Sequence, residues 1–174
     1  MQSFKVIVLS SAGVVVALLL SRYTIGYEYG VLVALPQLGV FLAAGAGGPI
    51  WGLLAGVAGG LGIYYGHPDT TWLTILSLTG LAAGILSARL RPTAAAFVAW
   101  LTVGLVSSYV IYTQNGQPSQ AFYAWLSTFS YEVVISAVVV DVVLTLLRVS
   151  RIKQKKVESG EVAPGSEAQA EVGL

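Results

Sequence analysis

A chain of 174 residues that is 56% hydrophobic and only 10% charged, with a mean hydropathy of +0.79, lies far from soluble domains, where about 25% of residues are charged. It has no cysteine for disulfide or thiol chemistry, and one histidine with scattered acids offers no metal-ligand spacing. The net charge is only +1, no nucleic-acid partner is expected, and the absence of a Walker-type loop excludes ATP hydrolysis by that mechanism on its own. Most of the chain is therefore expected in a bilayer, as an all-α polytopic protein of six helices.

The first apolar run, Phe4 to Leu20, is just long enough to span. A cleaved signal peptide is the rival, but Leu19 and Ser21 make a poor cleavage site and Arg22 follows at once. The run reads as a retained helix, in which Gly13 and Ala17 form a small-xxx-small packing pair. The stretch SRYTIGYEYG (21–30) reads as a loop. Its tyrosines suit a membrane boundary.

Val31 to Ala46 is the second span, interrupted by Pro36 and Gln37. Proline inside a helix kinks it and frees a carbonyl. Gln37 has two readings: a bond across helices, or a polar group lining a cavity. Pro49 to Tyr65 is the third span. It opens on Gly47-Gly48-Pro49, and proline is tolerated at the first helical position because its missing N–H has no helical partner there. Gly52, Gly56 and Gly60 then recur every four residues, a stripe along which another helix can approach at backbone distance. Lipid stabilises such a glycine-rich helix, because every backbone group must bond internally there.

His67-Pro68-Asp69 makes a tight loop. Trp72 to Ala88 is the fourth span, and its Gly80, Gly84 and Ala88 repeat the spacing, so it should pack on the third. Thr93 to Thr113 is the fifth, with Tyr109 and Tyr112 near its far end, and QNGQPSQ (114–120) is an uncharged loop. Phe122 to Leu147 is the sixth. Counted from Phe122, Glu132 lies about 15 Å into that helix. A bare charge at such depth costs at least ~2.5 kcal/mol, which marks Glu132 as functional. Asp141, nine residues on, falls on the opposite face at ~100° per residue, with Arg148, Arg89 or Arg91 to neutralise it. Residues 153–174 lack apolar content and are expected to form a disordered tail behind a six-helix membrane domain spanning 1–152.

Basic residues orient the chain. With the N-terminus inside, Lys5, Arg89, Arg91 and the cluster Arg148, Arg151, Lys153, Lys155 and Lys156 lie inside, and Arg22 alone lies outside. Both termini are then cytoplasmic and the protein is a multi-pass protein of the cell membrane. This topology gathers Tyr65, His67, Trp72, Tyr109 and Trp125 on the outer side, with Glu132 deeper. An ordinary aromatic belt occupies both interfaces. The one-sidedness therefore points to an outward-facing pocket of aromatic faces and carboxylate, suited to a small planar ligand, neutral or cationic. The expected ligand residues are Glu132, Trp72, Trp125, Tyr109, Tyr65, His67 and Gln37.

Six short spans with both ends inside, the segment LPQLGVFLAAGAGGPIWGLLAGVAGGLGIYYG, the following LTGLAAGILSARLRP, and Gly-Pro-x-x-Gly-x-x-x-Gly at Gly48 to Gly56 together form a pattern. It resembles the substrate-binding (S) components of energy-coupling factor (ECF) transporters over roughly residues 5 to 150. The resemblance implies a subunit that binds a vitamin or precursor from outside. It implies two kinds of partner, a membrane coupling subunit and ATP-binding cassette ATPases, and neither cofactor nor catalytic residue. The family's first helix commonly carries Ala-x-x-x-Ala for the coupling subunit; here the nearest match is Gly13 to Ala17. The residues expected for partner-helix packing are thus Gly13, Ala17, Gly52, Gly56 and Gly60. Two rivals are a membrane sensor domain of a signalling system and a ligand-free membrane scaffold. An enzyme is the weakest reading, because Glu132 alone does not make an active site.

Overall fold

The computed structural model describes residues 4–22, 24–26, 32–34, 36–66, 70–114, 126 and 130–147. Helix α1 (Phe4–Leu20) leads to two short strands, β1 (Thr24–Gly26) and β2 (Leu32–Ala34). Helices α2 (Gln37–Gly47), α3 (Pro49–Gly66) and α4 (Thr71–Leu86) follow. Helix α5 (Pro92–Ala99) continues through a π-helical turn (Trp100–Gly104) into α6 (Leu105–Gln114). Helix α7 covers Ser130–Leu147. The chain divides into two compact units, Met1–Val142 and Val143–Leu174. The first holds every element up to the middle of α7. Of the second, only 143–147 are described, as the end of α7.

The protein is thus helical, with one small antiparallel ladder pairing Thr24 with Ala34, Ile25 with Val33 and Gly26 with Leu32. This corrects the expected loop at 21–30 and the expected span at 31–46. Pro36 does not kink a helix; it caps the start of α2, which is only 11 residues long. The physical reason is local. The residue before a proline is pushed out of the helical region, and proline is well placed at a helix entrance. The expected start of the sixth helix at Phe122 and the tail at 153–174 lie outside the described residues. By length and composition, α7 is the one helix among the described residues long and apolar enough to cross a membrane, with mean hydropathy 2.0. Phe4–Leu20, Gln37–Gly47, Thr71–Leu86 and Pro92–Ser107 are apolar but shorter.

Glycine sets the packing. A Cβ on Gly52 would overlap the Gly80 carbonyl, and a Cβ on Gly80 would overlap the Gly52 carbonyl. The backbones of α3 and α4 therefore touch. The contact runs along both helices, with Gly56 against Leu76, Gly60 against Leu73 and Gly84 against Pro49. Helices α1 and α2 meet in the same way, Gly13 lying 2.7 Å (to an added Cβ) from the Ala43 amide nitrogen and Gly39 against Ala17. Gly62 of α3 lies against Ser21 and the Leu18 carbonyl, which joins α1 to α3. At the other end, Ser87 Oγ donates to the Ala44 carbonyl at 3.2 Å, tying α4 to α2. Between α2 and α3 the chain turns on Gly48 alone, at φ 86° and ψ −161°, a region essentially restricted to glycine.

The outside is the reverse of the inside. Large apolar side chains such as Phe4, Ile50, Leu101, Val106, Ile135 and Leu146 are exposed, while Ala17, Ala43, Ala55, Ala95, Ala99 and Ala137 are buried. Some large side chains are also inside: Phe41, Ile63, Ile75, Leu76 and Trp100 are buried, the Trp100 ring lying over Gly104, where any side chain would overlap it. The π-helical turn falls on these two residues.

Two kinds of glycine make a paired test by thermal unfolding of the purified protein. Gly52→Ala or Gly80→Ala inserts a methyl against a rigid carbonyl and is expected to cost about 1–3 kcal/mol. Gly48→Ala meets nothing within 4 Å, yet is expected to cost about 1–3 kcal/mol through its backbone angles. Gly66→Ala also meets nothing within 4 Å, at an ordinary backbone angle, and should leave the midpoint unchanged.

Candidate functional site

The interior contains polar side chains that the protein leaves without partners. Gln37, the first residue of α2, is 2% exposed, and neither its Nε2 nor its Oε1 has a hydrogen-bond partner. Its position follows from its neighbours. Pro36 rests 2.9 Å from the Cβ site of Gly59 on α3, and Val40, one turn on, rests 2.8 Å from that of Gly80 on α4. The carboxamide is held at a start of helix wedged against two others.

Thr79, beside Gly80 on α4, is buried with its Oγ1 unpartnered. Leu76, Thr79, Gly80 and Ala83 make one buried face of α4. Gln37 and Thr79 thus belong to the packed faces of neighbouring helices, α2 and α4.

Glu132 is the third residue of α7 and is 6% exposed, with neither carboxylate oxygen hydrogen-bonded. Helical spacing explains its burial. Glu132, Val133, Ser136, Ala137 and Val140 are all buried, whereas Tyr131, Ile135, Val138 and Val142 are exposed. The acid shares the inner face of α7 with small and β-branched side chains. The described cations are Lys5, Arg22, Arg89 and Arg91, and all four are exposed.

An unpaired buried amide or hydroxyl costs about 1–3 kcal/mol, and an unpaired carboxylate more. Stability therefore gives no reason for these residues. Their chemistry can: Gln37 offers a planar acceptor and two donors, Thr79 a hydroxyl, and Glu132 two acceptors.

The other expected residues are placed differently. Tyr65 is 84% exposed, Tyr109 is exposed, and Trp72 is half-buried. His67 and Trp125 lie outside the described residues. Gly13 and Ala17 are buried against α2, and Gly52, Gly56 and Gly60 against α4, so these contacts lie within the chain itself. Among the described residues, no three His, Asp or Glu side chains gather as a metal site would need.

Sequence reasoning passed over Thr79, Ser10 and Ser77, whose hydroxyls also lack partners. The signal for Thr79 was present: it adjoins the Gly80–Gly84 stripe, one turn from Leu76. No protein family, curated protein or solved structure matches this chain.

Replacing a costly group by an apolar one of similar size should stabilise the protein. Gln37→Leu is expected to raise unfolding stability by about 1–3 kcal/mol, read as a higher thermal midpoint. A residue kept for the fold alone would lower it.

Proposed function

We propose that this chain is a membrane-embedded substrate-binding subunit of an uptake transporter of the energy-coupling factor type. It takes a small planar molecule, a vitamin or precursor, from the outer side. A membrane coupling subunit and cytoplasmic ATPases would then energise its delivery. On this reading both termini are cytoplasmic and the chain itself is no enzyme.

The observation that carries the reading is the inverted distribution of side chains. Exposed faces of α1, α5, α6 and α7 carry Phe, Leu, Ile and Val, whereas the buried faces of α1 and α5 carry Gly, Ala and Ser, and glycines line the contact of α3 with α4. An exposed apolar surface on this scale is unfavourable in water. In lipid it costs nothing, and small residues are the ones that let helices associate there. Lengths of 11 to 18 residues fit the span only in part. Short helices are accommodated by bilayer thinning or flanking residues.

The unpartnered Gln37 and Glu132 support ligand binding rather than a scaffold. Polar and ionisable groups inside membrane helices are costly and mark substrate pathways. The lack of a phosphate-binding loop in the sequence supports the dependence on a partner ATPase.

Native mass spectrometry of the protein purified from cells grown in rich medium tests this. The expected result is one small molecule per chain, displaced by Gln37→Leu. A chain that emerges empty, and stays empty when offered thiamine, riboflavin and biotin, moves the weight to a sensor or scaffold.

A further inference from the structure

We propose that Glu132 is the charged anchor of the binding site, and that its ligand carries a positive charge on a planar group with two N–H donors, as in an amidinium or an aminopyrimidinium. The inference rests on the ligand-binding reading above and narrows it from planar molecules in general to cations of one shape.

The buried polar inventory of the described residues contains one acid and no base. Glu132 is enclosed, and both its oxygens are unpartnered. Its companions on the inner face of α7, Val133, Ser136, Ala137 and Val140, carry no charge. The other described acid, Asp141, lies at ~100° per residue on another side of the helix and is not fully buried. Lys5, Arg22, Arg89 and Arg91 are all exposed. A lone carboxylate removed from water is strongly unfavourable, and a cation that enters beside it recovers that cost at low dielectric. No such cation stands beside it among the described residues, and on the ligand-binding reading the ligand brings it.

The shape follows from the acceptor. Two free oxygens on one carboxylate match two parallel N–H donors, the arrangement that makes fork-to-fork pairs directional. A neutral lactam gives the same carboxylate one donor and an acceptor that repels it, and a urea gives two donors without the charge that offsets a buried carboxylate. Gln37 and Thr79, the other buried groups named above, are neutral and leave the charge balance of the interior unchanged.

The probes are benzamidinium, its neutral near-isostere benzamide, and sodium chloride, each at the same millimolar concentration with the purified full chain in detergent. Thermal unfolding and titration calorimetry read binding. Benzamidinium is expected to raise the unfolding midpoint and to bind; benzamide and sodium are not. Glu132→Gln should weaken benzamidinium binding by at least about 100-fold, the scale on which removing one partner of a buried charge pair acts. Glu132→Asp keeps the charge one methylene short and serves if the glutamine variant does not fold. It should bind more weakly than the parent while still preferring benzamidinium to benzamide. An equal response to benzamide, a response to sodium alone, no response to benzamidinium, or unchanged binding in Glu132→Gln each overturns the proposal. A neutral co-purified ligand would overturn it and leave the transport reading intact. Benzamidinium binding in a protein that supports no ATPase-dependent uptake would leave it standing and remove the transport reading.

Discussion

The constraint on which the rest depends is the reciprocal approach of Gly52 and Gly80, each lying where the other's carbonyl excludes a side chain. Where Gly52 meets Gly80 the two backbones leave no room for a side chain, and Leu73 and Leu76 pack on Gly60 and Gly56 farther along the contact. The same arrangement at Gly13 and Gly39 joins α1 to α2. Many large apolar side chains are on the outside, although Phe41, Ile63, Ile75, Leu76 and Trp100 are buried. A water-soluble bundle is stabilised mainly by burying those residues. This one leaves many of them exposed and adds close van der Waals contact between backbones, the kind of contact by which helices associate in lipid.

The interior polar groups work against that packing. Gln37, Thr79 and Glu132 occupy positions where alanine or leucine would be more favourable, and none has a hydrogen-bond partner. A buried polar group without a partner lowers stability. Their distribution is uneven in charge, with a buried carboxylate inside and the described cations outside. On the proposed reading the interior favours a positively charged guest; Tyr65 and Tyr109 are exposed.

Much of the helical framework was legible in the sequence. The runs at 4–20 and 49–66 are helices over nearly the expected residues, because apolar stretches bounded by Arg22, Pro49 and Pro68 leave little freedom. The pairing of α3 with α4 followed from matched four-residue glycine spacing. The ladder at 24–26 and 32–34 did not. Leu-Val-Ala before Pro36 reads equally as the start of an apolar helix, and only the proline's effect on its predecessor separates the two. Side-chain direction was the larger gap. Helices that are apolar all round show no stripe by which an inner face is recognised, so topology could place Tyr65 at the outer end but could not turn it inward or outward. Glu132 was legible for a different reason: an acid in an apolar helix is conspicuous wherever it faces.

The central claim is that the exposed apolar faces meet lipid. The absence of cysteine from the chain allows single labels to be introduced without background. Spin labels on Leu101→Cys and Ile135→Cys, in protein reconstituted into vesicles, would be compared for access to oxygen, which dissolves in lipid, and to a water-soluble nickel complex. High oxygen access with little nickel access at both positions, and the opposite at Arg89→Cys, is the predicted result. Nickel access at positions 101 and 135 as high as at position 89 would contradict it and return those faces to water.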